Sequence, residues 1–202
     1  MSINVGFDRL RVQPLTWDGS KLTKQGDQIV FEGKANKGGT VQAEISGLSK
    51  DPKVVSASNI AYYISRKGVG SPKVEFELMD IALEDETTLL GRKKTTEGIQ
   101  LTGNDTEAPY CAIMMESKNA AGDTALVGFF YGVFSKDGDS MKTLEVGEDF
   151  TPEAEKWTFT ASSNPVTDAE LGGQYMARYA GNEDTAIKKM KEVVLLDTPA
   201  GQ

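Results

Sequence analysis

The sequence lacks histidine altogether and contains a single cysteine, Cys111, among its 202 residues. Without histidine the chain cannot form a cysteine–histidine nucleophile pair, and one cysteine cannot form a disulfide within the chain. Both absences suit a reducing compartment. Cys111 shares one face of an alternating run with Ile113 and Met115, so we expect it to be a small buried apolar residue. Because residue types typical of catalytic and metal sites are scarce, we expect no enzymatic activity, no metal site and no cofactor.

The sequence also lacks a long apolar run and an excess of positive charge. No segment approaches the roughly 18 consecutive apolar residues that span a membrane, and residues 1–8 do not resemble a secretion signal. We therefore expect a protein made in the cytoplasm, with no membrane partner. Acidic residues outnumber basic ones by 30 to 22, a net charge of −8, and residues 102–202 alone carry −9. This acidity disfavours binding to a phosphate backbone as the main activity.

What the sequence does contain is β alternation with one short helical stretch. Residues 73–79 alternate apolar and polar side chains, as a half-buried antiparallel strand does. Residues 82–90 then change to helical spacing, with Gly91 placed to end the helix. We expect this helix to pack through Leu83, Leu89 and Leu90. The pattern predicts a mainly β protein, an antiparallel β-sandwich or barrel with one short flanking helix.

Further alternating runs extend the β-rich pattern along the chain. Residues 6–16, 28–33 and 40–48 predict three strands in a meander, with Pro14 marking an edge or strand end. Residues 110–116 and 124–134 predict a hairpin at the core, with Gly128 and Gly132 on one face. Residues 157–161 predict another strand, and residues 183–196 a C-terminal helix. We divide the chain into a β-sandwich domain, residues 1–162, and a C-terminal extension, residues 163–202.

Residues 49–72 form a long segment with apolar patches, bounded by Pro52 and by a glycine-rich stretch ending at Pro72. Compact domains seldom carry such a long connection without a use for it. Two interpretations fit: an extra hairpin folded onto the core, or a hairpin arm exposed in the monomer and covered by a neighbouring subunit. In the second interpretation, the contact residues are Val54, Val55, Ile60, Tyr62, Tyr63 and Ile64. Residues 68–73 lack the ending of a phosphate-binding loop.

Residues 135–155 are strongly acidic. Asp137, Asp139 and Glu148 stand at positions 1, 3 and 12 of an EF-hand calcium loop, but Met141 and Lys142 occupy positions 5 and 6, where a ligand and a glycine are required. The spacing therefore argues against a calcium site. We consider the following residues a candidate acidic surface: Asp137, Asp139, Glu145, Glu148 and Asp149.

Four stretches in a fixed order resemble the major tail proteins, or tail tube proteins, of long-tailed, non-contractile bacteriophages (siphophages). The first runs from Val-Gly-Phe-Asp-Arg-Leu at residues 5–10 to Pro-Leu-Thr at 14–16. The second covers residues 71–91, the third runs from Ala-Pro-Tyr-Cys-Ala at 108–112 to Gly-Phe-Phe-Tyr-Gly-Val-Phe at 128–134, and the fourth covers 157–161. No single stretch is specific, but the ordered set is. The helical tail after Ser162 has no match in this pattern.

The resemblance implies a structural virion protein whose subunits form hexameric rings that stack into the tail tube. It implies that strands of six subunits close an inner barrel, which surrounds the tape measure protein and later conducts double-stranded DNA into the host. Further implied partners are the tail terminator and distal tail proteins. Residues 49–72 would then be an arm or stacking loop, and the acidic residues would line a lumen or surface that repels the phosphates of passing DNA.

Other functions are compatible with the same sequence. A baseplate or tail-terminator subunit shares the fold but stops at one ring, and a tube-forming secretion-system protein is similar. A carbohydrate-binding β-sandwich would use Trp17, Trp157 and the tyrosines as stacking platforms.

Overall fold

The structure is a computed structural model that describes residues 4–34, 37–65, 68–143, 147, 149 and 151–197. Within these residues the chain forms thirteen strands and two helices. In chain order they are β1 (Asn4–Trp17), β2 (Leu22–Lys24), β3 (Ile29–Phe31), β4 (Gly39–Ser46), β5 (Val54–Ala57), β6 (Ile60–Ile64), β7 (Lys73–Met79), α1 (Leu83–Leu90), β8 (Lys93–Lys94), β9 (Gln100–Leu101), β10 (Tyr110–Asn119), β11 (Thr124–Ser135), β12 (Glu155–Ala161), β13 (Met176–Ala180) and α2 (Asp184–Leu195).

Nine strands form one antiparallel sheet in the order β2-β1-β10-β11-β12-β7-β4, with β3 paired to β1 and β13 paired to β11. The sheet curls so that β4 approaches β1, where the Thr40 hydroxyl donates to the Phe7 carbonyl over 2.5 Å. One apolar core lies inside the curl and includes Leu10, Val12, Phe31, Phe76, Cys111, Ile113, Phe129, Trp157 and Phe159. The mainly β, antiparallel sandwich is thus confirmed, and over the described residues the sheet does not close into a barrel.

The hairpin of β10 and β11 is the centre of the sheet, as its sequence predicts. Alternate residues of β10 point to opposite faces, so Cys111 and Ile113 join the inner core while Ala112 and Met114 join a second core outside the sheet. Cys111 is fully buried. The second core consists of Leu15, Ala112, Met114, Leu126, Phe130, Tyr131, Met190, Val194 and Leu195.

A β-bulge interrupts β11. Cys111 pairs with Gly132 and Ile113 pairs with Phe129, so three steps of β11 face two steps of β10. Phe130 and Tyr131 consequently both belong to the outer core. The bulge lies where β11 exchanges partners, since its first half pairs with β13 and its last four residues pair with β12.

The bulge corrects the prediction that Gly128 and Gly132 share a face. A Cβ atom on Gly128 would lie 2.8 Å from Cγ1 of Val194, on the α2 side. A Cβ atom on Gly132 would lie 2.5 Å from the ring of Phe159, inside the curl. Each glycine therefore allows a close approach on a different face.

Helix α1 ends as predicted. Gly91 adopts φ 64°, and the Arg92 N–H donates to the Thr87 carbonyl over 3.0 Å. Leu89 and Leu90 are buried, but the predicted packing of Leu83 is wrong, because its side chain is 59% exposed. Leu83 is the first residue of the helix, and the core-facing position of the next turn is taken by the buried Glu86 instead.

Helix α2 covers the outer face of the central hairpin. Met190, Val194 and Leu195 are buried there, which confirms the helical face predicted for residues 183–196. β13, which the sequence did not reveal, brings the chain back to β11 before this helix. Residues 163–197 therefore contact the sheet through both β13 and α2, and their separation from residues 1–162 stays a prediction.

Two strand predictions need correction. β4 pairs with β7 and not with β3, so the predicted meander is wrong. β1 also continues through Pro14, which stands opposite Cys111 of β10. Proline is tolerated there because β1 changes its other partner at this point, from β3 at Val12 to β2 at Leu15. Neither helix within the described residues is long and apolar enough to cross a membrane.

Candidate assembly surface

The hairpin of β5 and β6 stands apart from the main sheet. Val54 pairs with Ile64 and Val55 with Tyr63, and neither strand pairs with the nine-stranded sheet. All nine strand residues are exposed. The large apolar side chains range from 46% exposed for Ile64 to 75% for Tyr62. The interpretation of an extra hairpin folded onto the core is therefore wrong, and the exposed arm has the observed geometry. Its coverage by a neighbouring subunit stays a prediction.

The arm has a defined shape at its tip. Ser58 and Asn59 connect the strands with φ angles of 52° and 65°, the left-handed pair typical of a type I′ turn. This turn matches the twist of two-stranded ribbons, but serine adopts such angles at a cost. A register shift follows at Tyr62, which lies opposite no residue of β5 in the regular ladder.

The arm is also fixed at its root. The Ser65 N–H donates to the Lys53 carbonyl over 2.9 Å. Gly47 adopts φ 71°, and a Cβ atom there would lie 2.1 Å from the Ser71 carbonyl oxygen. A Cβ atom on Gly70 would lie 2.8 Å from the Gly47 carbonyl oxygen. The outgoing and returning chains therefore touch backbone to backbone, which only glycine permits.

The candidate acidic residues do not form one cluster. Asp137, Asp139 and Asp149 are exposed, while Glu145 and Glu148 lie outside the described residues. Asp139 forms an ion pair with Lys136, and the hydrogen bond from this lysine lowers the pKa of its carboxyl group. Asp139 is thus engaged within its own chain, and the remaining described candidates for a free acidic surface are Asp137 and Asp149.

Lys136 is a residue whose importance the sequence did not reveal. Its side chain is only 4% exposed, and its Nζ lies 2.8 Å from Glu155, 3.3 Å from Glu86 and 5.3 Å from the centre of the Trp157 ring. Burial alone lowers the pKa of this amine, but the hydrogen bonds that it donates to Asp139 and Glu155 outweigh burial and raise its pKa. The lysine joins α1, β11 and β12, and Arg92 adds a 2.7 Å ion pair to Glu86.

A small apolar pocket opens beside α2. Its volume is about 160 Å³. We call it the α2 pocket; its apolar lining consists of Leu15, Leu22, Phe130, Val166, Leu171, Val193, Val194 and Leu196. Lys21 and the 5% exposed Asn164 contribute the polar lining. The pocket joins β1, β2, β11, α2 and the segment before β13, so no local sequence pattern could have indicated it.

The aromatic side chains proposed as carbohydrate platforms do not form one exposed surface, and two of them are buried in the protein. Trp157 is 1% exposed, and Tyr131 is 7% exposed and stacks on Tyr110 at 4.2 Å between ring centres. Tyr62 and Tyr63 are the most exposed tyrosines, and they lie on the arm. Among the described residues no group of three or more cysteine, aspartate or glutamate side chains is placed to hold a metal ion.

The chain was also compared with known proteins. A protein-family model described as phage tail tube protein matches residues 15–196, which include the arm, the central hairpin and α2. No curated protein and no solved structure matches the chain.

Proposed function

The chain belongs to the phage tail tube protein family, and from that premise we propose that its copies form hexameric rings that stack into the tail tube of a long-tailed, non-contractile phage. Family membership makes it a structural component of the virion tail. The hexameric ring, the stacking and assembly in the host cytoplasm are the proposed part.

The proposed tube encloses the tape measure protein before infection and conducts double-stranded DNA afterwards. Tail terminator and distal tail proteins would bind its two ends. Exposed acids such as Asp137 and Asp149 suit a surface along which DNA slides, because they repel phosphate groups and release no counterions. We propose that these two side chains face the lumen or lie near it.

The observation that carries this proposal is the exposed arm. Its contact residues are Val54, Val55, Ile60, Tyr62, Tyr63 and Ile64. Burying one large apolar side chain completely is worth about 1.5–3 kcal/mol, and these side chains are on average about half exposed, so one arm supplies roughly 5–9 kcal/mol. Association itself costs about 4–15 kcal/mol. One arm contact is therefore marginal, whereas a closed ring or stack, in which every subunit both gives and receives an arm, is favourable.

Deletion of residues 51–65 tests the proposal. We expect the shortened chain to fold, because the arm pairs with no strand of the main sheet. It should remain monomeric by sedimentation, while the intact chain forms tubes with an open lumen in negative-stain electron microscopy. Circular dichroism with a thermal melt controls for folding. Tubes from the deletion variant would contradict the role of the arm.

The same experiment separates the alternatives. A single ring from the intact chain at all concentrations would favour a terminator or baseplate subunit. A soluble monomer that melts at a higher temperature with a glycan would favour a carbohydrate-binding module.

A further inference from the structure

The α2 pocket has the size of one aromatic ring. An apolar cavity of about 150 Å³ holds a benzene molecule, and the α2 pocket measures about 160 Å³. Its lining is apolar except for Lys21 and Asn164. Asn164 is 5% exposed, and its Oδ1 accepts only a long hydrogen bond, 3.4 Å, from the Val166 N–H. Such a site suits an occupant with an apolar ring and one polar end.

The arm carries a side chain of this chemistry. Tyr62 is 75% exposed, more than any other tyrosine that the structure describes, and the register shift of the hairpin falls at this residue. A phenol side chain combines an apolar ring with one polar end, and the pocket lining combines apolar side chains with Lys21 and Asn164. The aliphatic side chains of Val54 and Ile60 have no polar end.

The arm segment and residues 162–172, on one side of the pocket, carry charges of opposite sign. Residues 49–72 contain four basic residues and one acidic residue, and Lys50 and Lys53 are exposed beside the arm. The segment 162–172, which supplies two apolar residues to the pocket, contains Asp168 and Glu170, both exposed, and no basic residue. Attraction between the arm and this segment therefore favours one orientation.

Given the proposed tube, on which this contact depends, we infer that the Tyr62 ring of one copy occupies the α2 pocket of the next copy. The arm and the pocket are different patches of the same molecule, so copies can join head to tail in a heterologous contact. Repeated in one direction, such a contact builds a ring or a stack, whereas a reciprocal exchange of arms would stop at a dimer. The occupant is a second copy of this chain.

Disulfide trapping tests this contact. The background is low, because Cys111 is the only cysteine, is fully buried, and has a thiol pKa that burial raises to about 12. A Tyr62→Cys chain is mixed with a Val166→Cys chain, assembled and oxidised, and dimers are counted on a non-reducing gel. Leu22→Cys provides a second pocket position should Val166→Cys fold poorly. Ile99→Cys, 59% exposed and outside the pocket, is the control partner.

We expect cross-linking to either pocket position to exceed the Ile99→Cys control by about tenfold or more, since the contact raises the local thiol concentration. Tyr62→Ala should raise the concentration needed for assembly by about tenfold or more, and Tyr62→Phe by less, because only the hydroxyl is lost. Tubes with no preferential cross-link would overturn this contact and leave the proposed tube intact. No tubes from the intact chain would overturn both.

Discussion

Two hairpins of this chain are built from similar residues and end in opposite environments. β10 and β11 are rich in apolar side chains and are buried on both faces, by the curled sheet on one side and by α2 on the other. β5 and β6 also consist mostly of valine, isoleucine, tyrosine and alanine, yet every strand residue is exposed. Strand composition alone therefore does not decide burial.

The difference lies in what the rest of the chain places over each hairpin. Strands of the same sheet pair with both edges of the central hairpin, and α2 packs on its outer face. No described strand outside the arm pairs with β5 or β6, and all their residues are exposed, while the root is fixed by close backbone contacts at Gly47 and Gly70. An exposed apolar hairpin of this kind marks a surface for contact with another molecule. The following changes test this division between a folding hairpin and an assembly hairpin.

The largest effect on folding is expected from removing a core ring. Phe159→Ala deletes a fully buried side chain that contacts Phe129 and Phe134 at ring distances of 6.0 and 5.1 Å. The free energy of unfolding should fall by about 3–5 kcal/mol. Tyr63→Ala on the arm should change it by less than about 0.5 kcal/mol but should weaken assembly. Urea unfolding measures both, and equal losses would refute the division.

A smaller loss of stability is expected from adding a side chain at Gly132, where neighbouring atoms approach the backbone closely. The Cβ of Gly132→Ala would lie 2.5 Å from both the Phe159 ring and the Thr160 carbonyl oxygen. Because a backbone atom must shift, unfolding should become easier by about 3 kcal/mol. Gly138→Ala is the matched control, since nothing lies within 4 Å of its Cβ position. Thermal melts of the two variants should differ clearly, and similar melting temperatures would contradict the packing at Gly132.

Removing the buried ammonium should come next. Lys136→Met leaves Glu86 and Glu155 without this donor, which we expect to cost about 2 kcal/mol. The Lys136 hydrogen bond lowers the pKa of Asp139 below its ordinary value of 3.8. Its stabilisation is therefore present above pH 3.8 and disappears as the pH falls through the lowered pKa. The melting-temperature difference between wild type and variant should narrow in that range.

A control separates this buried cluster from an ordinary surface ion pair. Lys142 pairs with Glu153, and both side chains are more than 60% exposed. Lys142→Met should leave the melting temperature unchanged at every pH. If Lys142→Met lowered the melting temperature as much as Lys136→Met, burial of the Lys136 cluster would not explain the loss of stability.

The smallest effect is expected at the tip of the arm. Ser58→Gly places glycine at φ 52°, a conformation that glycine adopts without strain. The hairpin should gain about 0.5–1 kcal/mol locally, seen as slower hydrogen exchange of arm amides, while global unfolding is unchanged. Ser56→Gly, which places glycine within β5, should instead speed the hydrogen exchange of arm amides. Faster exchange in Ser58→Gly would mean that the tip is not a type I′ turn.

Local signals in the sequence predicted a large part of this fold. The alternation at residues 110–134, the helical spacing before Gly91 and the apolar face of α2 each depend on neighbours within a few residues. The exposed character of the arm was one of two interpretations. That arm residues touch a neighbouring subunit is still a prediction, as is the acidic lumen.

Nonlocal features could not be predicted in this way. β4 pairs with β7 across the whole arm, and β13 pairs with β11 across the acidic segment. The bulge at Phe130 and Tyr131 exchanges the inward and outward faces for the rest of β11. Regular alternation along the strand therefore predicts the wrong face for Gly132. The prediction that Leu83 packs against the core was wrong because Glu86 takes the inward position on the helix. Ion pairs with Arg92 and Lys136 hold Glu86 there. The α2 pocket is formed by five separate segments of the chain, so no local pattern predicts it.

The position of α2 has a consequence for the newly made protein. The helix begins about 50 residues after β11 ends. At synthesis rates of about 5–20 residues per second, the ribosome finishes the hairpin several seconds before it makes the helix. During that interval Ala112, Met114, Leu126 and Phe130 form an uncovered apolar surface. Nascent chains are therefore most vulnerable to aggregation, and most in need of a chaperone, at the face that α2 later hides.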